Sequence, residues 1–348
     1  MYQGQLNADA TRMRNSFIII VYITALSSCS NDIDLVRPDD PIPVVYFRMD
    51  PSDSVFYLTL TRSFSVNGNG FEMARNSDLV FYPDPDIRLE GWSGQFKVGE
   101  TRFRPSGRTK NPGLFPEVPG YCFKSLNEKW RLDDNTQNAG ITTFRLVMDL
   151  QGKFGPVVST LPIVPLPIQK RPSRQEKQVN LYPPDSGKFI VEFSFKEGLI
   201  KYCELMCTFR YQELAGGNWE DHNFTVPLKK NIMIVTRNGV ANATAILYPE
   251  QFFNRIAVNI KPVNDTILRR FNSLDLIFLA GDQNYKDYSE TYINSGNFDG
   301  LPMGNIINGY GLFTMVRSVK MENLILSYKT MDSLAGGQYT RQLGFITW

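Results

Sequence analysis

The stretch from Phe189 to Tyr211, FIVEFSFKEGLIKYCELMCTFRY, decides the fold class of this chain. Large apolar residues occupy every second position in FIVEFSF and again in LMCTFRY, and Glu197 and Gly198 follow the first run. A period of two is typical of a β-strand, because successive side chains point to opposite faces. The stretch therefore predicts two antiparallel strands that pack on one core, with a turn at Glu197-Gly198.

Shorter runs of β-branched and aromatic residues occur along the rest of the chain, separated by clusters of Asn, Asp, Gly and Pro that favour turns. They predict strands at Val44–Met49, Val55–Arg62, Leu79–Tyr82, Gln95–Val98, Thr143–Leu150 and Leu274–Ala280. Apolar residues at helical spacing after Pro249, and again in Gln283–Asn294, predict short helices late in the chain. Short strands with turns between them indicate a β-sandwich and not a parallel α/β sheet.

The proline-rich segment Leu161–Pro172 predicts a boundary between two domains. Proline keeps such a segment extended and disfavours pairing with neighbouring strands. We therefore expect a mainly β protein with two tandem β-sandwich (immunoglobulin-like) domains, at 44–168 and 169–348. The second domain is expected to carry two or three short helices.

The first 28 residues have the organisation of an upstream extension followed by an export signal. Their apolar run, Phe17–Leu26, is too short to span a bilayer as a helix. The sequence Leu26-Ser27-Ser28-Cys29 resembles the lipobox of bacterial lipoproteins, in which the cysteine becomes the acylated first residue. The resemblance implies that Cys29 is lipidated and that 29–43, which is acidic and rich in proline, is a tether. The alternative is a buried N-terminal strand with an ordinary cysteine.

Charge and cysteine content narrow the classes of function. The formal net charge is +2, so the chain lacks the basic excess that nucleic-acid binding requires. Three cysteines follow Cys29, and an odd number argues against a complete disulfide framework. Cys203 and Cys207 lie on one face of a predicted strand, roughly 13 Å apart, which is too far for a disulfide. We expect them to be core residues.

The sequence contains no motif of a known catalytic centre. Its single histidine, His222, excludes a two-histidine zinc motif, and no serine-hydrolase elbow or phosphate-binding loop is found. Asp84 and Asp86 lie in a Pro-Asp turn, and acids so close in sequence rarely face each other across a scissile bond. We expect His222 to lie in a surface turn after Gly216-Gly217. The sequence thus predicts a protein that is not an enzyme and that uses no metal or cofactor.

Trp92, Trp130 and Trp219 are the candidate ligand-binding residues. Each lies near Gly, Asn or Asp, where an exposed indole could stack on a sugar ring or anchor a protein partner. The alternative is that the three indoles cover the open ends of β-sandwiches. The sequence leaves the identity of the ligand open.

The order of several motifs resembles that of a family of Bacteroidetes outer-membrane lipoproteins, a domain of unknown function often encoded beside TonB-dependent receptors. The motifs are the lead after Cys29, YLTLTRS at Tyr57–Ser63, FRLVMDLQGKFG at Phe144–Gly155, KYCELMCTFRYQE at Lys201–Glu213, and the later FFNRIAVNI, LIFLAGDQNYKDY and NIINGYGLF. The resemblance implies a lipid anchor in the outer membrane and a TonB-dependent receptor as partner.

Asp32 and Asp34 resemble a short acidic signal that, in such bacteria, sends lipoproteins to the cell surface. The alternative is that these residues belong to a merely soluble linker. We therefore expect a surface-exposed protein, with a periplasm-facing position as the other possibility. The expected function is a noncatalytic accessory or ligand-binding component of TonB-dependent nutrient uptake. The alternative function is a structural or adhesion lipoprotein that self-associates or binds an extracellular polymer.

Overall fold

The computed structural model describes residues 41–63, 69–109, 116–126, 140–150, 155–182, 187–262, 267–294 and 304–347. In these ranges the chain is mainly β, as the sequence predicts. The described strands are β1 (Pro43–Met49), β2 (Val55–Arg62), β3 (Asp86–Ser93), β4 (Phe96–Arg102), β5 (Arg104–Pro105), β6 (Cys122–Leu126), β7 (Thr143–Asp149), β8 (Val157–Pro162), β9 (Ile168–Arg171), β10 (Gln178–Val179), β11 (Phe189–Lys196), β12 (Tyr202–Ala215), β13 (Asn218–Lys229), β14 (Ile234–Arg237), β15 (Val240–Leu247), β16 (Arg269–Gly281) and β17 (Tyr310–Leu326). The described helices are α1 (Gly70–Met73), α2 (Ser77–Val80), α3 (Pro249–Ala257), α4 (Gln283–Asn294) and α5 (Tyr328–Gly336).

The described strands form three sheets that share one hydrophobic core. The largest sheet has the order β13-β12-β16-β17-β1-β2-β6-β5, and β10 pairs with the end of β17. The two smaller sheets have the orders β14-β15-β11-β9 and β4-β3-β7-β8. Phe193 of β11 stacks on Phe278 of β16 with ring centroids 4.0 Å apart, and Phe103, after β4, contacts Phe47 of β1 at 5.4 Å. The large sheet is therefore one layer of a sandwich, and the two small sheets form the other.

The stretch Phe189–Tyr211 forms two strands on one core, but the expected pairing between them is wrong. β11 pairs with β15 and β9, whereas β12 pairs with β13 and β16. Gly198, with φ of 123°, lies in the connection that carries the chain from one layer to the other. Alternation decides which face of each strand is buried, but it does not decide the hydrogen-bonding partner.

The long strand β17 joins the two halves of the chain. Its first residues pair in parallel with β1, from Val44 opposite Tyr310 to Met49 opposite Met315. Its later residues pair with β16, so β17 is hydrogen-bonded to one strand from each side of the predicted boundary near residue 168. The division into domains 44–168 and 169–348, and an immunoglobulin-like strand order, stay predictions.

Two local expectations are wrong. The predicted strand Leu79–Tyr82 begins inside helix α2, because the Asn76 side chain accepts a hydrogen bond from the Asp78 N–H at 3.0 Å and caps a helical turn. The proline-rich segment Leu161–Pro172, where pairing is expected to be disfavoured, contains β9, which pairs with β11 in spite of the surrounding prolines. At the edge of its sheet, β9 needs hydrogen bonds on one side only, and an edge strand tolerates nearby proline.

Three helices follow residue 168 in the described part of the chain, in agreement with the expected two or three. In α4, Tyr285 is buried against Tyr202 of β12, with ring centroids 5.4 Å apart. Asp282 caps this helix by accepting a hydrogen bond from the Tyr285 N–H at 2.8 Å, and it also accepts one from the Thr314 hydroxyl at 2.6 Å. The tyrosine-bearing helix is thus packed on the sheet. Among the described residues, no helix combines the length and the apolar character needed to cross a membrane.

Candidate functional site

The strongest candidate surface is the outer face of the sheet β4-β3-β7-β8, around Trp92. Residues Ile87 and Leu89 of β3 are buried in the core, so the alternate residues Arg88, Glu90 and Trp92 face outward. The Trp92 side chain is half-buried. We name this surface the Trp92 face.

Hydrogen bonds fix the indole of Trp92 in one orientation. Its Nε1–H donates to Glu90 Oε2 at 3.0 Å, and the Lys97 ammonium donates to the other oxygen, Oε1, at 3.1 Å. Glu90 is only 7% exposed, so both of its oxygens need such partners. A β-bulge between Gly91 and Trp92 brings Lys97 opposite Trp92. The indole is therefore positioned before any ligand arrives.

Alternating charges extend from Lys97 along β4. Lys97 Nζ also donates to Glu100 Oε2 at 2.6 Å, and Glu100 lies 3.6 Å from the Arg102 guanidinium. The hydrogen bond from Lys97 lowers the pKa of Glu100, and the bonds to Glu100 and then Glu90 raise the pKa of Lys97. A glycosidase acid requires a raised carboxyl pKa. The shift at Glu100 has the opposite direction, so Glu100 is an ionised hydrogen-bond acceptor on this surface and not a proton donor of that kind.

Asp84 and Asp86, the acid pair noted in the sequence, do not face each other as two catalytic carboxylates. Asp84 lies exposed in the bend before β3. Asp86 is the first residue of β3 and forms ion pairs with Arg102 at 3.1 Å and Arg88 at 3.5 Å. Asp86 is therefore part of the charged rim of the Trp92 face.

Trp219 lies in another sheet, near the start of β13. Its ring is half-buried, and the Arg270 guanidinium carbon lies 4.3 Å from the ring centroid, which is a cation–π geometry. Gln212 donates to Asp221 at 2.8 Å beside it. One side of this indole is thus occupied by an arginine of the same chain, which makes Trp219 a weaker candidate for stacking on a ligand than Trp92.

His222 is in strand β13 and not in the surface turn that the sequence predicts. The turn itself is present at Gly216 and Gly217, which have φ of 59° and 87°. His222 lies opposite Tyr211 of β12, and the two rings stack with centroids 5.3 Å apart. The hydrogen-bonded pairing of β12 with β13 continues almost to the two glycines, as far as Ala215 opposite Asn218. His222 therefore lies within the paired strand and not in the turn.

Several predicted residues lie outside the described residues. These are the lipidation site Cys29, the acidic residues Asp32 and Asp34, and the third candidate indole, Trp130. Their proposed roles stay predictions. Of the three tryptophans, the structure describes Trp92 and Trp219 and places them in different sheets.

Cys203 and Cys207 are core residues, as expected. Both are fully buried, and neither forms a disulfide. Burial raises the pKa of the Cys203 thiol, and burial followed by the charge of Asp275 raises that of Cys207 to about 12. Within the described ranges, His, Cys, Asp and Glu side chains do not gather in a group of three or more that could hold a metal ion.

Sequence reasoning missed a buried arginine that joins distant parts of the chain. Arg269 is 4% exposed and forms an ion pair with Glu213 at 2.8 Å. Its guanidinium also donates to the carbonyl oxygens of Lys261 at 3.0 Å and Leu343 at 2.7 Å. The sequence signal for this role is weak, because Arg269-Arg270 resembles an ordinary pair of exposed charged residues before a strand.

Comparison with known proteins identifies no family for this chain. No family model and no curated protein matches the chain. The C-terminal globular domain of an oligosaccharyltransferase from Pyrococcus abyssi is 12% identical with a TM-score of 0.23, over 70% of this chain and 51% of that chain. The chicken interferon gamma receptor alpha chain is 10% identical with a TM-score of 0.15, over 69% of this chain and 88% of that one. This chain spans about half the length of the archaeal domain. Similarities at this level carry no argument about fold or function.

Proposed function

We propose that this chain is a noncatalytic, surface-exposed lipoprotein of the outer membrane, anchored through Cys29. We further propose that it binds a ligand as an accessory component of TonB-dependent nutrient uptake. The anchor is supported by the lipobox-like sequence before Cys29, and export to the surface by Asp32 and Asp34. The receptor partnership is supported by the order of motifs described above.

The observation that carries the binding role is the fixed indole of the Trp92 face. Glu90 holds the indole edge by a 3.0 Å hydrogen bond, and charged side chains of β3 and β4 surround it. An aromatic ring with polar groups around it suits stacking on a sugar ring, with hydrogen bonds to its hydroxyl groups. Carbohydrate is therefore the ligand class that we propose.

Affinity electrophoresis through gels that contain soluble polysaccharides tests this role. The parent protein is expected to be retarded by at least one polysaccharide, and Trp92→Ala is expected to lose that retardation. The matched control is Trp219→Ala, which removes an indole of similar burial from another sheet and is expected to migrate as the parent does. Equal retardation of the parent and Trp92→Ala would contradict the assignment of the Trp92 face.

The receptor partnership has its own test. Purification of the full chain from native outer membranes by a C-terminal tag is expected to bring a large β-barrel protein with it. Consistent absence of any barrel from such preparations, while the tagged chain itself is recovered, would contradict the partnership and leave the carbohydrate role standing.

One observation favours the alternative role in adhesion or assembly. β13 is an edge strand of twelve residues, and no strand in the described ranges pairs with its outer side. Such an edge can template pairing with another chain. Sedimentation analysis over a range of concentrations tests this role, because self-association through β13 predicts a dimer that Thr225→Pro disrupts. A monomer at every concentration would contradict it.

A further inference from the structure

The outer face of the sheet β14-β15-β11-β9 combines exposed apolar and basic side chains. We name it the basic sheet face and define it by Ile168, Lys196, Met233, Val235, Arg237 and Val240. The opposite face of the same sheet is part of the core, where Phe193 and Ala243 are fully buried. The two faces are thus distinct, and the basic sheet face is not an exposed portion of the core.

Strand register brings the basic residues beside an apolar one. Arg237, Val240 and Lys196 lie opposite one another on β14, β15 and β11. Directly opposed residues in antiparallel strands project from the same face. The tight turn at Asn238-Gly239, with φ of 52° and 77°, places Arg237 against Val240 at the end of this sheet.

The next row of residues across the four strands of this face has an apolar residue at each end. Val235 of β14 and Ile168 of β9 are its outer members. Ile168 is 58% exposed, Val235 42% and Val240 47%, and Met233, just before β14, is 77% exposed. Met233, Val235 and Val240 thus form the exposed apolar part of this face, while Asn242 and Ser194 separate Ile168 from Val235. An exposed apolar patch beside polar residues is typical of a contact surface.

The charges on this face that lack an ion-pair partner among the described residues are positive. Lys196 and Arg237 are exposed, and neither has an ion-pair partner among the described residues. Glu192, an acid of the same face, forms an ion pair with Arg171 at 3.7 Å. A partner that covers this face must therefore offer negative charge next to an apolar layer.

We propose that the basic sheet face docks on an anionic lipid surface. In this arrangement Met233, Val235 and Val240 enter the boundary between headgroups and acyl chains, while Lys196 and Arg237 contact the anionic headgroups. Membranes present negative charge directly above an apolar layer, which matches the composition of the face. The inference concerns residues after 167 and does not depend on acylation of Cys29.

A fluorescent reporter tests the contact locally. The full chain with Cys29→Ser and Val240→Cys is labelled with a polarity-sensitive, thiol-reactive dye. The native Cys122, Cys203 and Cys207 are buried, so the introduced thiol reacts first. The dye is expected to shift to the blue on phosphatidylglycerol vesicles and to stay unshifted on phosphatidylcholine vesicles. The matched control carries the dye at Thr225→Cys, exposed on β13 in the other layer, and is expected to show no shift on either.

Neutralising the two basic residues gives a second readout. Lys196→Gln with Arg237→Gln is expected to weaken partition into phosphatidylglycerol vesicles roughly thirtyfold, the effect of two basic residues near an anionic surface. The matched control, Arg104→Gln with Lys124→Gln, removes two exposed charges from β5 and β6 and is expected to leave partition unchanged.

Three results would overturn the proposal. The first is an unshifted dye at residue 240 on phosphatidylglycerol vesicles, even where the apolar run Phe17–Leu26 holds the chain on the membrane. The second is an equal loss of partition in both charge variants. The third is a blue shift without lipid that grows with protein concentration, which would assign the face to contact with a second copy. Loss of carbohydrate binding would leave these outcomes unaffected, so the two proposals fail separately.

Discussion

At the scale of single residues, two neighbouring arginines have opposite roles. Arg269 is buried and pairs with Glu213, while Arg270 lies on the outer face over Trp219. Removing one partner of a buried ion pair leaves the other charge without compensation. We expect Arg269→Gln to lower the free energy of unfolding by about 3 kcal/mol, measured by urea denaturation.

Arg270→Gln is the matched control for that change. It removes a cation–π contact with Trp219 and a hydrogen bond to Gln212 from a half-buried side chain, so we expect a loss of about 1 kcal/mol in the same measurement, smaller than that of Arg269→Gln. Equal losses in the two variants would show that the buried contacts of Arg269 do not carry the stability assigned to them.

The Lys97–Glu100 pair predicts a pH dependence. Because Lys97 lowers the pKa of folded Glu100, the pair contributes stability above the ordinary glutamate pKa of about 4.3. This contribution is lost as the pH falls through the lowered pKa of the folded state. Carboxyl chemical shifts measured against pH are expected to show Glu100 titrating below its ordinary range, and Lys97→Met is expected to raise that midpoint, while Arg102 still lowers it. An unchanged midpoint in Lys97→Met would contradict the pairing.

Sequence reasoning identified Trp92 but could not identify what holds it. Glu90 is two residues away and could be suspected, whereas Lys97 becomes its partner only through the bulge at Gly91 and Trp92. Bulges shift the register of one strand against another, and residue spacing alone does not reveal them. His222 was misplaced for a related reason, since the length of a hairpin ladder depends on tertiary packing.

At the scale of elements, the parallel pairing of β1 with β17 depends on Gly311. Its φ is 109°, and a Cβ at this position would lie 1.9 Å from the Val45 carbonyl oxygen. Gly311→Ala must therefore push the two strands apart. We expect it to lower the free energy of unfolding by roughly 2 kcal/mol more than a glycine substitution without such a contact.

Gly198→Ala provides that comparison. Gly198 has a similar φ of 123°, but a Cβ there would meet no atom within 4 Å. Both variants place alanine at a positive φ, so the backbone strain is common to them. The difference between their free energies of unfolding in urea therefore measures the cost of the close approach of β1 and β17. A difference near zero would contradict the proposed contact.

The elements themselves were mostly predictable. Val55–Arg62 and the helix Gln283–Asn294 have the bounds that the sequence indicates. What the sequence could not provide was the partner of each strand, as β11 and β12 show. Periodicity is a local property, whereas pairing depends on how the layers close around the core.

At the scale of the whole molecule, β17 and the shared core connect the two predicted domains. Elements that share one core tend to unfold together. We expect differential scanning calorimetry to record a single cooperative transition. Two separated transitions would instead support independent domains at 44–168 and 169–348.

The central claim is that the chain is anchored to the outer membrane by a lipid on Cys29. Mass spectrometry of the protein isolated from native outer membranes tests it most directly. The account predicts that the N-terminal peptide begins at Cys29 and carries the mass of an acylated cysteine. An unmodified Cys29 in a peptide still joined to residues of the Phe17–Leu26 run would contradict the claim.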